Sequence, residues 1–215
     1  MRMCLMFLLL VASVAHGAKC YVEPVVGKSQ INISFADRVN REIFNSGYAT
    51  GDYKENNKGT TGGVEVGCTW LNYHWLRLGA ELGVVEGFKF RGQVSGTARY
   101  QQLEQDFTAE AVFRARAYTL AMVGEVPITD HFFFTGRLGV AYAQATGDLY
   151  PMDLRVQNIR LALHGEADGV IPVVGIGGGV AFGRVAVLAE GRVLGIPWRE
   201  DRRANEFRIG LRYTF

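Results

Sequence analysis

Apolar and polar residues alternate one by one along most of this chain. Read back from the C-terminal end, Phe215, Tyr213, Leu211, Ile209 and Phe207 are apolar, and Thr214, Arg212, Gly210 and Arg208 stand between them. Successive side chains of a strand point to opposite sides. A period of two therefore predicts a strand with one apolar and one polar face. Upstream, Val185 to Val193 alternate with Ala186, Leu188, Glu190 and Arg192, and Phe132 to Tyr142 with Phe133, Thr135, Arg137, Gly139 and Ala141. Phe107, Ala109, Ala111, Phe113, Ala115 and Ala117 alternate with Thr108, Glu110, Val112, Arg114 and Arg116. Leu76 to Val84 alternate with Arg77, Gly79, Glu81 and Gly83, Val64 to Trp70 with Glu65, Gly67 and Thr69, and Val22 to Val26 with Glu23 and Val25. Val170 to Phe182 is uncharged but holds Pro172 and Gly177-Gly178-Gly179, a poor helix and a tolerable strand. Eight strands result.

The connectors between them alternate in length. Short ones fall at Leu71–His74, Val126–Asp130 and Phe182–Arg184; long ones fall at about Ser29–Thr61, Arg91–Gln105, Thr146–Gly169 and Ile196–Asn205. Both ends of the strand array then lie on the short-turn side. This is the layout of an eight-stranded antiparallel up-and-down transmembrane β-barrel of the outer membrane. Aromatic residues gather at both ends of the strands, as interfacial girdles do. Trp70, Tyr73, Trp75, Phe132, Phe134, Phe182, Tyr213 and Phe215 stand near the short turns. Phe88, Phe90, Phe107, Tyr142, Trp198 and Phe207 stand near the long loops.

The polar face carries Gly, Ala, Glu and Arg with scarcely any Lys. Its charged members are Glu23, Glu65, Glu81, Glu110 and Glu190 with Arg77, Arg114, Arg116, Arg137, Arg192, Arg208 and Arg212. Arginine's planar fork suits enclosed pairing with carboxylates, so we expect these residues to fill the lumen as an ion-pair network. The chain has 27 glycines in 215 residues, nearly twice the usual share of roughly 7%. Gly27, Gly67, Gly79, Gly83, Gly139, Gly175, Gly177 and Gly210 fall on the polar face, where they leave room for the long side chains. Apolar residues make up 48%, too many for a disordered chain. The formal charge of +2 gives no nucleic-acid footprint.

Residues 1–17, MRMCLMFLLLVASVAHG, combine Arg2, an apolar run and a small-residue Ala15-His16-Gly17 site. They read as a signal peptide, with 18–215 as the barrel domain. No later stretch has the continuous apolar length of a membrane helix. Cys20 and Cys68 remain after Cys4 leaves. If the first two strands pair antiparallel with Glu23 opposite Glu65, Cys20 stands opposite Cys68, and an oxidising compartment permits a disulfide between them.

Here the chain resembles a known family. The strand Arg116-Ala117-Tyr118-Thr119-Leu120 running into Val126-Pro127, the strand Gly136-Arg137-Leu138-Gly139-Val140-Ala141-Tyr142, and the terminal Arg212-Tyr213-Thr214-Phe215 resemble the eight-stranded outer membrane protein A-like and opacity-type barrels. The resemblance implies a bacterial outer membrane location and lipid or lipopolysaccharide around the barrel. It also implies recognition of Phe207, Ile209, Leu211, Tyr213 and Phe215 by the barrel-assembly machinery, and a structural or surface-interaction role. It carries over no periplasmic cell-wall-binding domain, since no such segment follows Phe215.

No catalytic, cofactor or metal site is expected. Lipid-modifying and proteolytic barrels need a His with Ser, Asp or Glu in reach. His74 and His131 fall at short turns among aromatics, and His164-Gly165-Glu166 with Asp168 falls in the third long connector without a fixed nucleophile. Two rival functions are a small-solute porin and a lipid-modifying enzyme working through His164. An eight-stranded barrel is just wide enough for its own side chains, which argues against the first.

Overall fold

A computed structural model describes residues 18–32, 49–100, 103–149, 163–195 and 203–215. Residues 1–17 lie outside them, as do the tips of the long connectors, Trp198 included. Eight strands occupy the chain: β1 (Lys19–Asn32), β2 (Ala49–Asn72), β3 (Arg77–Tyr100), β4 (Leu103–Pro127), β5 (Phe132–Leu149), β6 (Leu163–Phe182), β7 (Val185–Gly195) and β8 (Arg203–Thr214). Each pairs with its sequence neighbours, and β1 pairs with β8, so the sheet closes into a barrel. All pairings are antiparallel. Among the described residues no helix is long and apolar enough to cross a membrane.

The short connectors are tight. The backbone amide of Tyr73 donates to Leu76 O at 2.8 Å, and Ile128 N donates to Phe132 O at 2.8 Å. Thr129 Oγ1 accepts the amides of His131 and Phe132 at 3.2 and 3.0 Å, fixing the β4–β5 turn by a local side-chain contact. The β6–β7 turn is Gly183-Arg184, and Gly183 adopts φ 63°, a left-handed conformation that glycine takes at little cost.

The barrel is inverted relative to a soluble one. Val26, Leu120, Leu138, Ile176, Ile209 and Leu211 lie on the outside and exposed, while Glu23, Glu65, Glu81, Arg137, Glu190 and Arg208 are buried inside. Trp70, Trp75, Phe132, Phe134, Phe182, Tyr213 and Phe215 are exposed at the short-turn end, and Tyr118, Tyr142 and Phe207 toward the other. The lumen also has apolar layers. Phe133, Ala186 and Leu188 pack together on the short-turn side, and Ala117, Ala141, Val173 and Leu194 on the long-loop side.

The strands run farther than alternation predicts. Ala49–Thr61 of β2, Arg91–Tyr100 of β3, Leu103–Gln105 of β4, Thr146–Leu149 of β5 and Leu163–Gly169 of β6 belong to strands, where long connectors were expected. Backbone pairing needs no apolar face, so a ladder continues into water where the alternation that reveals it has ended. His164 accordingly sits in β6 opposite Asp148, not in a loop.

The phase of β4 also differs from expectation. Ala117, Thr119, Ala121, Val123 and Glu125 are buried, whereas Arg114, Arg116, Tyr118, Leu120 and Met122 are exposed. The alternation alone places Phe107 to Ala117 on the outward face, and the structure turns Ala117 inward. Ala is compatible with either face of a narrow barrel. The large Tyr118, Leu120 and Met122 decide the matter by seeking the apolar exterior.

Candidate functional site: the charged lumen

Four arginines and five glutamates from seven strands meet inside the barrel. Arg137 on β5 lies at the centre. Its Nε donates to Glu81 Oε1 at 3.0 Å, its Nη2 stands 3.3 Å from Glu23 Oε2 and 3.7 Å from Glu65 Oε2, and its Nη1 pairs with Glu190. Arg208 on β8 donates to both oxygens of Glu65, at 2.5 and 2.6 Å, and to Glu190 at 3.1 Å. Arg192 on β7 donates to Glu65 at 2.9 Å and to Glu190, two residues back on the same face, at 3.1 Å. Arg212 donates to Glu23 at 2.9 Å and pairs with Glu125. Its guanidinium also lies 3.9 Å above the Tyr21 ring, a cation–π contact. The Tyr21 hydroxyl donates to Glu81 at 2.8 Å.

Strand alternation places these side chains, and glycine makes the space they occupy. A Cβ at Gly67 would lie 2.5 Å from Tyr21 Cζ, and one at Gly210 would lie 3.0 Å from Glu23 Cδ. Both distances are far inside van der Waals contact. The glycines opposite the long side chains are therefore packing partners, matching large to small across a narrow cylinder.

The expected network divides. Glu23, Glu65, Glu81, Glu190, Arg137, Arg192, Arg208 and Arg212 come together. Arg77 does not join them: it is exposed at the short-turn mouth, in a vestibule of about 420 Å³ that also contains Glu125 and Arg212. Arg114 and Arg116 are corrected outright, since the phase of β4 turns both to the outside, where Arg116 pairs with Glu86 at 2.9 Å. Glu110 stands opposite Gln93 in the β3–β4 register; its side chain lies outside the described ones. Three members were missed. Glu125 follows from the phase that Tyr118, Leu120 and Met122 set. Tyr21 and Glu206 follow from carrying the alternation one residue past Val22 and Phe207.

Glu206 is buried directly opposite Arg192 in the β7–β8 register and two residues from Arg208 on the same inward face. Thr61 Oγ1 donates to its Oε1 at 2.6 Å, while its Oε2 has no hydrogen-bond partner among the described residues. The described lumen thus buries six carboxylates (Glu23, Glu65, Glu81, Glu125, Glu190 and Glu206) against the guanidinium groups of Arg137, Arg192, Arg208 and Arg212.

Oxygens of Glu23, Glu65 and Glu81 lie within 4.8 Å of one another, close enough for a cation to bridge. Arg137 reaches all three, so their charge is already met by protein. The arrangement is an ion-pair core in which each guanidinium is shared by two or more carboxylates. Such a core holds distant strands together and fills the pore at one level.

Cys20 and Cys68 are directly opposite in the β1–β2 register and joined as a disulfide. The bridge lies next to the β1–β8 seam, where Phe215 N donates to Cys20 O at 2.9 Å.

No protein-family model and no curated protein sequence matches this chain. Solved structures of similar shape include Ail, the attachment invasion locus protein of Yersinia pestis, at 10% identity and TM-score 0.49, covering 92% of this chain and 99% of that one. The outer membrane protein OprG of Pseudomonas aeruginosa aligns at 12% identity and TM-score 0.47, over 92% and 96%. Neisserial surface protein A aligns at 12% and TM-score 0.43, over 91% and 97%.

Proposed function

We propose that this chain is an integral outer membrane β-barrel of the bacterial envelope, with a structural or surface-interaction role and a lumen closed by its Arg/Glu core. One observation carries the proposal: the closed sheet turns its apolar side chains outward and buries its charges inside. In water such a barrel would expose a continuous apolar belt and gain nothing from it. In a bilayer the belt is solvated by acyl chains, and closure leaves no backbone group unpaired. Residues 1–17 would direct export, and Phe207, Ile209, Leu211, Tyr213 and Phe215 would present the terminal strand for assembly. All five are exposed on the outer face of β8 or just beyond it.

The core sets conductance. With Arg137, Arg192 and Arg208 shared among Glu65, Glu81 and Glu190, ions pass only when pairs exchange, so any current is small. The extended ends of β2, β3 and β4 carry the connectors well beyond the apolar belt, where a surface ligand would meet them.

Two measurements test this. Membrane fractionation with heat-modifiable gel mobility should place the protein in the outer membrane and show faster migration of the unboiled form. Recovery from the soluble periplasm would end the proposal. In planar bilayers Glu190→Ala should alter single-channel conductance or thermal stability relative to wild type. A variant unchanged in both would remove the gating role of the core.

A further inference from the structure

The lumen has a second level of buried polar groups, on the long-loop side of the guanidinium core. Glu206 on β8 faces inward one step beyond Arg208, and Ser29 on β1 stands directly opposite it. Thr61 on β2 belongs to the same level. Its register partner on β1 is Gly27, and its Oγ1 reaches past that glycine to donate to Glu206 Oε1 at 2.6 Å. A Cβ at Gly27 would lie 2.9 Å from Thr61 Oγ1, so the contact needs a position 27 without a side chain. Opposite Ser29 on β2 stands a second glycine, Gly59. Ser29, Thr61 and Glu206 are 3%, 3% and 4% exposed. Even so, Ser29 Oγ and Glu206 Oε2 have no hydrogen-bond partner among the described residues.

The neighbouring guanidinium groups are engaged elsewhere. Arg192 stands opposite Glu206 and Arg208 two residues along β8, but their hydrogen bonds among the described residues go to Glu65 and Glu190. In the described lumen six buried carboxylates face four buried guanidinium groups, which leaves an excess of negative charge. Two residues beyond Glu206, Ala204 packs against the apolar layer of Ala117, Ala141, Val173 and Leu194. Buried polar atoms between a charged core and an apolar layer are costly when left without partners.

We propose that Glu206, Ser29 and Thr61 form a binding site for a monovalent alkali cation inside the barrel. Glu206 Oε2 supplies the charge, and the hydroxyl oxygens of Ser29 and Thr61 supply neutral ligands. The Thr61 proton already points to Glu206, so its lone pairs are free to face a cation. One carboxylate with two hydroxyls is a poor set for calcium or magnesium, which take larger oxygen shells richer in charge. The positive charge of Arg192 and Arg208 close by disfavours a divalent ion further. A cation held here neutralises Glu206 and links β8, β1 and β2 across the seam at which the sheet closes.

The test uses the full refolded barrel in nonionic detergent at about pH 8, well above the ordinary glutamate range. Thermal midpoints are read in sodium, potassium, calcium or choline chloride at one ionic strength, choline being the cation too bulky for the site. The wild-type midpoint should rise saturably with sodium or potassium, by about 3–6 °C at tenfold excess over the dissociation constant. The sodium NMR signal should broaden in parallel. Glu206→Gln should abolish both responses, and Ser29→Ala should weaken the apparent affinity about tenfold through the lost ligand. Equal midpoints in sodium, potassium and choline, a saturable rise retained by Glu206→Gln, or a stronger response to calcium than to sodium would each overturn the site. So would a wild-type midpoint that ignores cations and rises only on acidification, because a proton would then meet Glu206. Should Glu206→Gln fail to refold, Ser29→Ala with Thr61→Val should weaken the response, and an unchanged response would overturn the site. Heat-modifiable mobility of the same samples reports the closed barrel separately, so a failed cation site and a failed barrel are told apart.

Discussion

Arg137 and Glu81 lie on strands that do not touch, β5 and β3, yet Arg137 Nε stands 3.0 Å from Glu81 Oε1 across the lumen. The contact spans β4 and ties two parts of the wall through the interior. Arg137 also reaches Glu23, Glu65 and Glu190, so one guanidinium serves β1, β2, β3 and β7. Removing it leaves several buried carboxylates facing one another. Arg137→Met should therefore destabilise the barrel by about 3–5 kcal/mol, the cost of orphaning a buried charge. The measurement is urea unfolding in micelles, followed by heat-modifiable mobility. A midpoint equal to wild type would show that the core is not held by Arg137.

Arg116 is the contrasting case. It was expected in the lumen and stands outside, in an exposed pair with Glu86. Exposed ion pairs are screened and contribute little. Arg116→Gln should leave the unfolding midpoint within the scatter of wild type, while Arg137→Met lowers it. A loss as large as that of Arg137→Met would put Arg116 back inside.

Glu65 and Glu206 are both buried glutamates in different surroundings. Glu65 receives Arg208 through both oxygens and Arg192 at 2.9 Å. Glu206 has Thr61 on one oxygen and, among the described residues, no hydrogen-bond partner on the other. Glu65→Gln should lower stability, because it removes charge from three guanidinium groups. Glu206→Gln should cost less than Glu65→Gln, because among the described residues Glu206 accepts a hydrogen bond from Thr61 and from no guanidinium group, whereas Glu65 accepts from Arg192 and Arg208. Thermal midpoints of the two variants in the same micelle decide the order, and a reversed order refutes it.

Gly67 faces the Tyr21 ring so closely that a Cβ has no room. Gly67→Ala should cost about 1–3 kcal/mol by overpacking. The same substitution in a Tyr21→Ala background should cost almost nothing, because the clashing atoms are gone. A double-mutant cycle reads the coupling directly, and additivity of the two changes would show that Gly67 does not pack on Tyr21.

The Cys20–Cys68 bridge closes a segment with a sequence separation of 48. Cys20→Ser with Cys68→Ser should lower stability by about 2–4 kcal/mol through the freer unfolded chain. Unfolding midpoints with and without reductant should differ for wild type and coincide for the double variant. Labelling of wild type by a thiol reagent after denaturation without reductant would show that the bridge is not formed.

Much of this was determined by the sequence alone. Strict alternation in β8 from Phe207 to Phe215 reflects a wall that meets apolar surroundings on one side and charge on the other, and only a strand satisfies both. Register was legible where two features constrained it together. Glu23 opposite Glu65 brings Cys20 opposite Cys68, and both pairings are present. The inward glycines followed from the same phase, since a narrow cylinder that holds arginines must have small residues facing them.

Tertiary structure decided what alternation cannot. The phase of β4 was ambiguous over Phe107 to Ala117, where the alanines suit either face; in the closed sheet the outward Tyr118, Leu120 and Met122 set it, turning Arg114 and Arg116 outward and Glu125 inward. Strand ends beyond the apolar belt carry no periodic signal, so their length emerged only from backbone pairing. Which guanidinium meets which carboxylate depends on strand stagger around the barrel, a property of the closed sheet and of no single strand. Sequence therefore specified which residues face inward over most strands, and closure specified which of them touch.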